Sequence, residues 1–182
     1  MAELPRRTVL LGVAAITAAA APAEANAWEF TFEAIEEGPL PLAQFRGRVL
    51  LVTNTASFCG YTYQYKALEA LHAKDSPNGL TVVGVPSQDF NQESDSNAKV
   101  KSFCEATFGV QFPMAGLTHV RGAKAHPFYQ WVRMQKDWEP SWNFNKVLIG
   151  RDGRIAGLFA ATDEPDGARL RQALGAALAA TA

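Results

Sequence analysis

The stretch Val49-Leu-Leu-Val-Thr-Asn-Thr-Ala-Ser-Phe-Cys-Gly-Tyr-Thr-Tyr-Gln-Tyr65 runs from apolar and β-branched residues, through a cysteine, into helical spacing. Val49 to Thr53 reads as a strand buried on both faces. Beyond Cys59, Tyr65, Leu68 and Leu71 recur at helical spacing until Pro77-Asn78-Gly79 imposes a turn. Cys59 therefore falls in the loop at the carboxyl end of a core strand, facing the amino end of the next helix. In open α/β sheets this is where ligands bind. Exposed amide hydrogens and the positive end of the helix dipole favour thiolate over thiol there, so the position suits a sulfur built to attack. The plainer alternatives are a small apolar filler or half of a structural disulfide.

Working outward, Leu80 to Val85 reads as a second buried strand. Ser94-Asp95-Ser96-Asn97 offers N-caps for a helix whose Val100, Phe103, Cys104 and Phe108 share one face, and Gly109 is a stop signal. Lys146 to Phe159 reads as a hairpin turning at Asp152-Gly153. Glu164-Pro165 is expected to start a last helix with Leu170, Leu174 and Leu178 along one side. Strand, helix, strand, helix, hairpin, helix is the order of an α/β thioredoxin-like fold, a central mixed β-sheet flanked by helices.

The N-terminus carries a different signal. A basic start, an apolar small-residue run from Val9 to about Ala21 and the triplet Ala25-Asn26-Ala27 have the marks of a cleaved export segment, whose apolar centre spans roughly 7–15 residues. Arg6-Arg7 followed by Thr-Val-Leu resembles a twin-arginine signal. Residues 1–27 are thus expected to be a leader and 28–182 a single domain, periplasmic or secreted after cleavage. The apolar run is shorter than the roughly 20 residues of a membrane span, so no stable membrane insertion is expected. The formal net charge of −1 and the lack of a basic block argue against nucleic acid.

Several blocks carry a family resemblance. Val49 to Tyr65 resembles the "V-N-V-A-S-x-C-G" signature of the glutathione peroxidase family, and Gly84-Val-Pro-Ser-Gln-Asp-Phe-Asn-Gln-Glu93 resembles its "G-F-P-C-N-Q-F-G-x-Q-E" loop. Ser102 to Pro113, Ala125-His-Pro-Phe-Tyr129 and Trp142-Asn-Phe-Asn-Lys146 are similar to its later blocks, and the likeness runs from about Phe30 to Pro165. It implies a peroxidatic role for Cys59, with Gln92, Trp142 and Asn143 around the sulfur. Indole and amide N–H groups are donors that stabilise thiolate without adding charge. The resemblance implies a thiol-dependent peroxidase that reduces hydrogen peroxide or organic hydroperoxides through a Cys59 sulfenic acid. The reductant would be glutathione or a thioredoxin-like protein.

The departures from the family pattern matter. The loop before Gln92 is one residue short, with Asn91 alone where the family has Gly and another residue, so Gln88 is the fallback. Thr62 stands where dithiol oxidoreductases carry a second cysteine; its hydroxyl can cap the helix but cannot resolve a mixed disulfide. The family's loop cysteine is Ser87 here, and the resemblance leaves Cys104 as the resolving candidate, set one residue earlier relative to Phe112-Pro113 than in thioredoxin-dependent relatives. It equally reads as a buried helix residue. If it resolves, its helix must partly unwind.

His126, in His126-Pro127, reads as a helix start rather than a base. His72, His119 and His126 are dispersed and two cysteines cannot hold a structural zinc alone, so neither metal nor other cofactor is expected. Trp131 and Trp138 read as packing or surface aromatics. The short segment between Trp131 and Trp142 suggests a monomer or weak dimer. The competing functional class is a non-catalytic thiol redox sensor or thioredoxin-fold binding protein.

Overall fold

In the computed structural model, which describes residues 25–181, an antiparallel pair, β1 (Thr31–Glu33) and β2 (Pro39–Pro41), leads into the sheet. Then follow β3 (Val49–Thr55), α1 (Gln64–Asp75), β4 (Leu80–Pro86), α2 (Asn97–Phe108), α3 (Pro127–Lys136), β5 (Lys146–Ile149), β6 (Ile155–Phe159) and α4 (Ala168–Ala179). The main sheet has the order β4-β3-β5-β6. β3 pairs in parallel with β4, from Val49 opposite Leu80 to Thr55 opposite Pro86. On its other side β3 pairs antiparallel with β5, from Leu50 opposite Ile149 to Thr53 opposite Lys146.

β3 and β4 are buried at every position, which is why they read as continuous apolar runs: helices cover both faces. Alternate residues feed two cores, as the period-2 geometry of a strand requires. Val49, Leu51, Leu80 and Val82 pack with Tyr65 and Leu68 of α1, Val100 and Cys104 of α2 and Leu170 and Leu174 of α4. Leu50, Val52, Val83 and Val85 pack on the opposite face with Phe128, Trp131 and Val132 of α3 and with Trp28 and Phe32.

Ser96 proves to be the α2 N-cap, its hydroxyl accepting from the Lys99 N–H at 3.4 Å, and Gly109 ends that helix in the left-handed region at φ 65°. The β5–β6 hairpin turns where expected, with Gly153 at φ 81°. Here glycine is required twice over, since a Cβ would also collide with the Trp28 indole. Two expectations need correction. α4 starts at Ala168 with Gly167 at its N-cap; Glu164-Pro165 lies in the preceding turn, which the Gly167 N–H closes onto the Glu164 carbonyl at 2.9 Å. The expected order of elements also omits α3, which stands between α2 and the hairpin and begins where His126-Pro127 reads as a helix start.

The expected leader lies outside the described residues as far as Glu24. Its last three residues are built into the fold. Trp131 Nε1 donates to the Ala25 carbonyl at 3.1 Å, and the Asn26 side chain accepts from the Trp28 N–H at 3.0 Å. Ala27, fully buried, donates its N–H to the Gly153 carbonyl at 2.9 Å. A boundary after Ala27 would cut this packed turn, so the folded unit reaches back to Ala25. Among the described residues no helix is long and apolar enough to cross a membrane.

Candidate active site

β3 ends at Thr55, and the chain makes a tight turn through Cys59 before α1 begins at Gln64. The Thr62 hydroxyl donates to the Cys59 carbonyl at 2.8 Å and the Thr62 N–H reaches the same oxygen at 3.1 Å. Thr62 therefore closes the cysteine's own turn rather than capping α1, whose N-cap, Tyr63, makes no side-chain cap bond. The Tyr61 N–H points at Cys59 Sγ, 3.4 Å away. Cys59 is 4% exposed, whereas the preceding Phe58 is 67% exposed and Trp142 is 40% exposed. The sulfur thus sits just below a surface with aromatic edges.

The loop after β4 is fastened to this turn. The Phe58 N–H donates to the Gln92 carbonyl at 2.9 Å. Glu93 Oε1 accepts from the backbone N–H of Ser57 at 3.1 Å and of Ser94 at 2.7 Å. Burial raises the Glu93 carboxyl above its ordinary value, against the pull of these bonds. The missing loop residue is accommodated at Asn91, which takes the left-handed conformation at φ 56°; asparagine is among the few residues that tolerate it. Gln92 therefore reaches inward, while Gln88 is exposed and donates to the Ser94 carbonyl.

A third segment precedes β5. Asn54 brackets it, donating from Nδ2 to the Trp142 carbonyl at 3.0 Å and accepting the Phe144 N–H at its own carbonyl at 2.6 Å. Asn143 is fully buried and donates from Nδ2 to Gln92 Oε1 at 2.9 Å. Trp142 packs against Phe90, with ring centroids 5.4 Å apart. Cys59, Gln92, Trp142 and Asn143 thus occupy three segments stitched to one another at the carboxyl end of β3. Among the described residues the hydrogen bond to Cys59 Sγ comes from Tyr61, not from those three side chains.

Cys104 is fully buried within α2 and shares an apolar cluster with Cys59; both thiols are free. Burial pushes the Cys104 thiol up to about 11, helped by the charges of Glu93 and Glu105 and opposed by the Tyr65 hydroxyl. His126 caps α3, Nδ1 accepting the Phe128 N–H at 3.2 Å, and it touches none of the four site residues. Sequence reasoning gave no role to Asn54, Glu93 or Lys146. Their one signal was polarity inside otherwise apolar or loop segments that fold against the cysteine.

Residues 27–133 match the glutathione peroxidase family model, more than half of the chain. The chain belongs to the glutathione peroxidase family. It is 38% identical to the glutathione peroxidase-like peroxiredoxin gpx1 of Schizosaccharomyces pombe, over 70% of this chain and 84% of that one. It is 34% identical to the hydroperoxy fatty acid reductase gpx1 of Synechocystis, over 80% of this chain and 93% of that one. Among solved structures, Trgpx in its apo form superposes with a TM-score of 0.69 at 32% identity, over 87% of this chain and 99% of that one. The thioredoxin-like fold and the membership agree with the resemblance read from the motifs. As a glutathione peroxidase family member the chain is a thiol-dependent peroxidase, an oxidoreductase acting on peroxide. The family model ends before Trp142 and Asn143, so the case for those two rests on their own contacts.

Proposed function

We propose that Cys59 is the peroxidatic residue and that Gln92, Trp142 and Asn143 are its donors. The thiolate attacks one peroxide oxygen: an S–O bond forms, the O–O bond breaks, and the other oxygen leaves as hydroxide or alkoxide. The leaving oxygen takes a proton, giving water or an alcohol, and the sulfur is left as sulfenic acid. In this reading the amide and indole N–H groups of these three residues stabilise the charge moving onto the leaving oxygen. The observation carrying this reading is the clasp of the Cys59 turn to the Gln92 loop, with Asn143 hydrogen-bonded to Gln92. Cys59→Ser should abolish peroxide consumption with a supplied thiol; full activity in that variant sinks the assignment.

A thiol then condenses with the sulfenic acid, releasing water and forming a disulfide, which a second thiol reduces. We assign the condensing thiol to an external donor, glutathione or a thioredoxin-like protein. Cys104 lies in the interior of α2 with its thiol pushed up to about 11, and reaching Cys59 would require that helix to open. Mass spectrometry after one equivalent of peroxide checks this. A Cys59 sulfenic acid that persists until thiol is added supports the external route, and an internal Cys59–Cys104 disulfide overturns it.

The exposed aromatic edges at Phe58 and Trp142 offer organic hydroperoxides an apolar approach alongside hydrogen peroxide, as fits likeness to a hydroperoxy fatty acid reductase. The basic, apolar N-terminal pattern supports export to the periplasm or beyond. The short segment between Trp131 and Trp142 supports a monomer or weak dimer. Cell fractionation and light scattering test these two in turn.

A further inference from the structure

Lys146 opens β5 with its side chain fully buried. Placing an ammonium in the interior is costly unless its protons are taken up by good acceptors. Two are supplied: Nζ donates to Gln64 Oε1 at 2.8 Å and to the Phe144 carbonyl at 2.8 Å. Gln64, also fully buried, extends the bridge by donating from Nε2 to the Ala161 carbonyl at 2.7 Å. Burial lowers the ammonium to about 8, with Glu164 and Asp163 in the turn after β6 opposing the shift.

The two acceptors are informative because of where they sit. Gln64 is the first residue of α1, directly after the Cys59 turn. Phe144 directly follows Asn143 and holds a left-handed backbone at φ 61°, a conformation a bulky residue keeps only when its surroundings impose it. The Phe144 N–H is pinned by the Asn54 carbonyl and its own carbonyl by Lys146. One cation therefore joins the chain leaving the cysteine to the chain leaving Trp142 and Asn143.

We propose that Lys146 is a positioning residue of the peroxidase site, its ammonium locking the start of α1 to the Phe144 carbonyl so that sulfur and donors keep one geometry. This rests on reading Cys59, Trp142 and Asn143 as that site. An apolar residue would fill the start of a buried strand at lower cost, so the bridge serves geometry rather than packing.

Lys146→Met tests it, keeping length while removing the charge and both hydrogen bonds in surroundings that accept an apolar chain. Stopped-flow measures Cys59 oxidation by hydrogen peroxide, and iodoacetamide alkylation of Cys59 is measured beside it. Alkylation needs an accessible thiolate but no aligned donors, whereas misplacing donors by a fraction of an ångström slows peroxide attack about tenfold or more. The expected result is that loss in peroxide rate with alkylation changed less than about threefold. Gln64→Leu cuts the same bridge, so the double variant should be no slower than the slower single one. Peroxide oxidation within about twofold of the parent, equal loss of both rates, or losses that multiply would overturn the role. If Lys146→Met fails to fold cooperatively, Gln64→Leu carries the same two-rate comparison. Peroxide consumption surviving in Cys59→Ser would topple the site reading itself. Consumption lost in Cys59→Ser but untouched in Lys146→Met and Gln64→Leu would topple only the positioning role.

Discussion

At the scale of single residues, the polarity of one amide orders another. Asn143 donates from Nδ2 to Gln92 Oε1, and an amide whose oxygen is engaged is left with its NH₂ group to offer. Gln92 can then act toward a nearby sulfur or peroxide as a donor. Asn143→Asp reverses this logic, because an ionised carboxylate only accepts and would repel Gln92 Oε1. Removing an aligned donor from a site of this kind costs about 10²–10³ in rate, and because Asn143 acts partly through Gln92 a loss of about tenfold to a hundredfold in kcat/KM is expected. Steady-state kinetics with a saturating thiol check it, and an unchanged kcat/KM would remove Asn143 from the site. The motifs singled out Cys59, Gln92 and Asn143 as candidates, since each sits in a block whose residue types announce chemistry. The Asn143–Gln92 contact was not legible, nor was the burial of Lys146. Both depend on three loops meeting in space, and no local pattern encodes that meeting.

At the scale of elements, the strands and the first two helices could be read because their apolar periodicity is strong and their ends carry glycine or serine signals. Thr31–Glu33 and Pro39–Pro41 are three-residue strands, too short to show alternation, and the second begins and ends in proline, which belongs at edges. The start of α4 was misplaced because proline is favoured at the first turn of a helix, yet Pro165 lies in a turn that Gly167 N–H closes onto Glu164. α3 has a different start, a histidine cap, and that gives it a pH dependence. His126 Nδ1 accepts the Phe128 N–H, Nε2 lies 3.0 Å from the Thr31 carbonyl, and the ring stacks on Phe32 at 4.1 Å. These contacts use the neutral ring with its proton on Nε2, and burial lowers the group below its ordinary value. Its stabilising contribution is therefore complete above the unfolded value of about 6.5 and is lost as pH falls through the lower folded value. His126→Asn keeps a cap acceptor without a titrating ring. Thermal melts at pH 7.5 and pH 5 should show a smaller decrease in Tm for that variant than for the parent, and equal decreases would remove His126 as the cause.

At the scale of the whole molecule, the N-terminal turn closes the domain across elements far apart in sequence. Ala25 meets Trp131 of α3, Ala27 meets Gly153 of the β5–β6 turn, and Trp28 covers that glycine. An Ala-x-Ala triplet alone places a leader boundary after Ala27, but it carries no information about what those alanines touch once folded. A chain beginning at Trp28 would lack the Asn26 cap, worth about 1 kcal/mol. It would also leave the buried Trp131 N–H without its acceptor, a loss of about 1–3 kcal/mol. Partial access of water to the new terminus offsets some of this, so a net loss of about 2 kcal/mol is expected relative to a chain beginning at Ala25. For a domain of this size that corresponds to a Tm lower by about 4–8 °C. The peroxide rate per folded molecule should be the same in both, because the turn lies at the hairpin end of the sheet and Cys59 follows the carboxyl end of β3. Paired thermal melts and peroxidase assays of the two chains decide the matter. Equal Tm values would show the turn to be dispensable, whereas the expected difference would show that a chain starting at Trp28 is the less stable form of the domain.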